Sequence, residues 1–232
     1  MCFSATADLV MGAGVIAVGV DAMRHVRVPQ HRWVAALPLV LGTHQLIEAL
    51  VWRGLSGDVR ESVWRAAMWV YLTMAFGLVP ILVPAAVGAL EPVVHRRRML
   101  FFTLLGTVVA VLLMSAVVRG PIEAAIEVRH ISYTVDLWHG GLLVFLYVIA
   151  TCGSLLASSH RAVRWFGAAN MVAVLVLAWL YETAFISLWC AWAAITSISI
   201  ALWLRAGAGD GRPSRATDDM PSGDSIGARR PG

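Results

Sequence analysis

MLFFTLLGTVVAVLLMSAVV, residues Met99–Val118, decides the fold. Its 20 residues carry no charge, Arg96, Arg97 and Arg98 precede it, and Arg119 follows it. About 20 apolar residues are what a helix needs to cross the hydrocarbon core of a bilayer. Backbone polar groups in lipid must be satisfied within the segment, so a block of this kind reads as a helix. Similar blocks fill most of the chain, with helices expected at Ala5–Met23, Trp33–Arg53, Ser62–Leu90, Met99–Val118, Val135–Ser158, Ala162–Thr183 and Ile186–Leu204. No series of alternating ten-residue segments suggests a β-barrel. The expected fold is an all-α integral membrane bundle of seven transmembrane helices over residues 1–205, followed by a disordered tail over 206–232 rich in Gly, Pro, Ser, Asp and Arg.

Composition agrees. Across 232 residues, 59% are hydrophobic and only 14% charged, against roughly 25% charged in a soluble domain; the mean hydropathy is +0.75. No lysine occurs, which excludes a retinal Schiff base. The pI of 9.4 comes from arginines beside apolar blocks, so membrane topology explains it better than nucleic acid. Membrane lipids are the expected partners, with a small amphiphile as a candidate ligand. Cys2, Cys152 and Cys190 give no disulfide framework. No positive charge precedes the first apolar run, so it reads as a retained helix, not a cleaved signal.

Arginine placement sets the expected orientation. One set of loops holds Arg24, Arg27, Arg32, Arg96, Arg97, Arg98, Arg161 and Arg164, with Arg205 at the tail. The other set holds Arg53, Arg60, Arg65, Arg119 and Arg129 interleaved with acids. The denser set is expected to be cytoplasmic, which puts the N-terminus outside and the C-terminus inside the plasma membrane. Tryptophans near the helix ends, such as Trp33, Trp64, Trp69 and Trp203, fit interfacial belts.

Under this topology the polar residues gather in the outer half. His44 and Glu48 lie four apart on the second helix, and Asp136 and His139 three apart at the expected start of the fifth. His130, Tyr133, Tyr181, Glu182 and Cys2 fall on the same side. Cys, His and carboxylate are transition-metal ligands, and facing helices of a bundle build such sites. His44, His139, His130, Cys2 and Glu182 are the candidate ligands, zinc the expected metal, and Glu48 and Asp136 the candidate catalytic acid–base groups. The alternative is plain polar packing between helices. Residues Pro121–Arg129 are expected to form a short amphipathic surface helix, a candidate lid. Three functions stay open: hydrolytic or redox chemistry on a lipid or small amphiphile, non-enzymatic binding or transport of a small solute or ion, and a structural or sensory role.

The opening Met1-Cys2-Phe3-Ser4-Ala5-Thr6-Ala7, with His44-Gln45-Leu46-Ile47-Glu48-Ala49-Leu50-Val51-Trp52, resembles an uncharacterised family of bacterial multi-pass membrane proteins. The family's pattern has glycine where Ala49 stands. The resemblance implies no activity, and it singles out Cys2, Gln45, Glu48 and Trp52. A looser, fold-level analogy is to the seven-helix metal-dependent amidases that include alkaline ceramidases and adiponectin-type receptors. Their paired His-x-x-x-His on the last helix is absent here, where Trp189 and Cys190 stand.

Overall fold

Each apolar block becomes a helix. The computed structural model describes residues 4–127, 130–137, 139–179 and 182–206. Its elements are α1 (Ala5–Arg24), α2 (Arg32–Leu55), α3 (Glu61–Leu72), a π-helical segment (Thr73–Leu78), α4 (Val79–Leu90), α5 (Arg96–Arg119), β1 (Ile122–Glu127), β2 (His130–Val135), α6 (Gly140–Leu156), α7 (Arg161–Trp179) and α8 (Glu182–Arg205). Among the described residues, four helical lengths are long and apolar enough to cross a membrane: Ala5–Arg24, Pro29–Leu55, Glu61–Leu90 and Val93–Arg119. Gly140–Leu156 and Trp192–Arg205 are shorter and also apolar. The expected tail, from residue 207 onward, lies outside the described residues.

The first helix starts where Ser4 accepts the Ala7 N–H at 3.2 Å, an N-cap that satisfies one orphan donor. It then packs backbone to backbone against α2. A Cβ on Gly42 would stand 2.8 Å from the Ile16 nitrogen, and one on Gly19 2.9 Å from the Leu39 nitrogen. Small residues let helices approach this closely where lipid supplies no hydrophobic drive between them.

Prolines explain the irregular third rod. Val79 donates its N–H to the Met74 carbonyl, five residues back. In that register the Ala75 carbonyl would need a donor from residue 80, which is proline and has none. The Tyr147 hydroxyl of α6 donates to Ala75 instead, at 3.0 Å. A side chain from a neighbouring helix thus satisfies the freed carbonyl.

The bundle has two distinct ends. At one, Arg205 of α8 binds Asp21 of α1 through two 2.7 Å contacts, and His31 packs on Trp203. The C-terminal ends of α1 and α8 therefore coincide and the two helices run parallel. The turn Pro29–His31 touches α4 at this same end, and the Arg96–Arg98 run follows shortly after α4. We call this the arginine end. At the other end, Val51, Trp52, Ala67, Met68, Leu72, Val117 and Ile131 form a buried core beneath the strands.

Those strands correct one expectation. Residues 122–127 form no surface helix but pair antiparallel with β2, Ile122 opposite Val135, Ala124 opposite Tyr133 and Ile126 opposite Ile131. The reason is period. Ile122, Ala124, Tyr133 and Val135 pack beside Ile131 on the core, and alternate residues of a strand share one face. A second correction follows, because α6 begins at Gly140 and not at Val135. Asp136 and His139 precede the helix and do not share a helix face.

Candidate functional site

A cluster of buried polar side chains sits at the hairpin end, built from four elements. Glu48 on α2 is 2% exposed, and Asp8 on α1 is 1% exposed. Tyr71 of α3 donates its hydroxyl to Glu48 Oε1 at 3.3 Å. The His44 ring stacks on Tyr71, centroids 3.9 Å apart, and Tyr71 stacks on Tyr133 of β2 at 4.9 Å. Three aromatic rings thus form a short column beside the carboxyl groups.

Several of these polar atoms have no hydrogen-bond partner among the described residues. They are His44 Nε2 and the Tyr133 hydroxyl, together with the Asp8 carboxyl oxygens and the Trp52 indole N–H, which neighbour each other without a well-formed hydrogen bond. Native proteins leave few such groups, and each calls for an explanation. Burial holds the Tyr133 phenol well above its ordinary range, and the charges of Glu48 and Asp8 push it further. Both carboxyls therefore bear on one point, and Asp8 also acts on Glu48 as a like charge. No arginine pairs with either acid among the described residues. The arrangement offers oxygen acceptors, an imidazole nitrogen and a phenol to a ligand that brings positive charge or donors.

The structure brings His44 and Glu48 together and leaves Asp136 and His139 exposed on the segment between β2 and α6. His139 takes the left-handed conformation at φ 52° and gives α6 no side-chain cap. Cys2 lies outside the described residues, as do the side chains of His130 and Glu182. Among the described residues no three of His, Cys, Asp and Glu converge to hold a metal ion. Sequence reasoning missed Asp8 and Tyr71. Asp8 continues the buried stripe Gly12, Val15 and Gly19 along α1, so an acid in phase with small buried residues was the available signal. Gln45, Glu48 and Trp52, singled out by resemblance, are all buried on α2.

A second buried carboxyl, also missed, lies at the arginine end. Glu91, 3% exposed, accepts the Ser158 hydroxyl at 2.5 Å and the Ser159 N–H at 2.8 Å. His160 Nε2 meets the Leu90 carbonyl at 3.0 Å. Here the loop after α4 is fastened to the loop between α6 and α7. Burial alone would raise the Glu91 pKa, but the hydrogen bonds from Ser158 and Ser159 outweigh it and hold it below its usual 4.5. A depressed carboxyl stabilises the fold above its unfolded pKa, and that contribution is lost as pH falls through the folded value. Glu91→Gln should therefore melt below the natural chain at neutral pH, and the gap should close on acidification below about pH 4. Melting curves of both proteins in detergent across this range check it; a gap unchanged by pH would refute the charged staple.

Long apolar helices and tight glycine-mediated packing point to a helical membrane protein. Within that class, the chain belongs to a family of unknown function (DUF6629), whose profile matches residues 1–215. No curated protein and no solved structure matches the chain.

Proposed function

We propose that the chain is a seven-span protein of the bacterial plasma membrane, N-terminus outside, that binds a small cation at the Asp8–Glu48 cluster. One observation carries the reading: two carboxyl groups are buried close enough to act on each other, and no basic side chain stands beside either among the described residues. Burying an unpaired charge is very costly unless something neutralises it. A bound cation does so, with Tyr71 holding Glu48 in place. The remaining acceptors, among them Tyr133 and His44, face the same region and add to its affinity for positive charge. The arginine asymmetry supports placing this cluster on the outer side, where a solute reaches it before crossing the bundle. Binding and transport are the functions such a site serves.

His44 Nε2, with no hydrogen-bond partner among the described residues, favours a second reading. In it, zinc held by His44 with Cys2, His130, His139 or Glu182 activates water for hydrolysis of a lipid or small amphiphile, with Glu48 or Asp136 as base. Two measurements separate the readings. Full-length protein purified in detergent without chelator is assayed for metals, and chelator-treated protein is melted with sodium, potassium, calcium or zinc. The first reading expects no stoichiometric transition metal and a rise in melting temperature with one of the other three cations. About one equivalent of zinc or another transition metal would overturn it in favour of the second.

A further inference from the structure

At the arginine end, α4 and α5 leave between them an apolar groove of about 330 Å³. Ala85 and Gly88 line it from α4, Leu100 and Thr103 from α5, and Arg96 and Arg97 stand at its head. Its width depends on small residues: a Cβ on Gly88 would stand 3.2 Å from that of Met99.

The charge above the groove is unbalanced. Arg96, Arg97 and Arg98 occupy the first turn of α5, which holds no acid and no side-chain cap. The N-terminal end of a helix is already electropositive, so this is the less favourable end for three cations. Among the described residues no carboxylate pairs with them, and the nearby Glu91 is engaged by Ser158 and Ser159. Both Arg96 and Arg97 are exposed, and guanidinium groups match phosphate geometry. An anion is wanted at the head, and an apolar chain fits below it.

We propose that this groove holds one anionic phospholipid. Its phosphate lies on Arg96 and Arg97, and an acyl chain runs along Ala85, Gly88 and Leu100. A free phosphate would engage only the head and leave the apolar walls unused. Basic pockets between membrane helices take up lipid head groups in this way.

The test uses full-length protein, delipidated in detergent and observed by native mass spectrometry with added phosphatidylglycerol or phosphatidylcholine. The natural chain should retain phosphatidylglycerol in preference to phosphatidylcholine. Arg96→Gln with Arg97→Gln should lower that retention about tenfold. Ala85→Phe, which fills the groove and leaves both arginines, should also lower it. Arg32→Gln with Arg161→Gln removes equal charge elsewhere at the same end and should change nothing. Free glycerol phosphate should fail to displace the lipid. The proposal is overturned if the Arg96/Arg97 variant binds as the natural chain does, if the Arg32/Arg161 variant loses as much, or if glycerol phosphate displaces the lipid.

Discussion

The double variant Asp8→Asn, Glu48→Gln is expected to melt above the natural chain in cation-free detergent buffer, by on the order of 1–3 kcal/mol. It should also lose all stabilisation by added cation. The two effects share one cause. Asp8 and Glu48 are buried carboxyl groups with no basic side chain beside them among the described residues. Neutral amides of nearly the same shape relieve the repulsion and the desolvation cost together. A site kept for binding at the expense of stability behaves this way. Each single variant should keep part of the cation response. The measurement is the melting temperature of natural, single and double variants with and without cation. If the double variant melts lower, as a damaged core would, or still responds to cation like the natural chain, the cluster is structural packing.

Gly106→Leu is expected to cost about 3 kcal/mol or more, enough to deprive the detergent-purified protein of a cooperative melt. A Cβ at this position would land on the Pro80 carbonyl oxygen. That obstacle is backbone, so no rotamer change can relieve the clash. It also stands where proline already denies the third rod a donor and Tyr147 supplies one. Gly14→Leu is the control, since nothing lies within 4 Å of a Cβ there. Comparable losses in both variants would show that helix insertion, not the contact with Pro80, is what failed.

The helices were legible because length and hydropathy dominate in a bilayer. Arg96–Arg119, for example, extends the uncharged stretch Met99–Val118 only by its flanking charges. The hairpin was not read, although Ile131, Tyr133 and Val135 alternate with Ser132 and Thr134 in the manner of a strand. Six residues are too few for period alone to separate strand from helix, and the pairing partner has to be known first. His44 and Glu48 stood out because ionisable residues within a span are rare. Asp8 lies one turn inside a helix start, where an acid suits the dipole and attracts no notice. Only its packing on α2 gives it a different meaning. Tyr71 carries no signal of its own in the sequence, because its partner Glu48 lies 23 residues earlier on another helix. Glu91 drew no attention as a lone acid ahead of a proline, because its partners lie 67 and 68 residues further on.

The π-helical segment Thr73–Leu78 acts on the third rod as a change of phase. Successive residues of an α-helix are rotated by about 100°, so a wider turn resets which way everything beyond it faces without shortening the span. Before it, Met68, Tyr71 and Leu72 are aimed at the hairpin core and at Glu48. After it, Val83 and Val87 are aimed at Met99 and Leu155 on the opposite half of the molecule. Two bearings are thus set independently on one continuous element. The aromatic column can change its aim while the far half keeps its grip on α5 and α6.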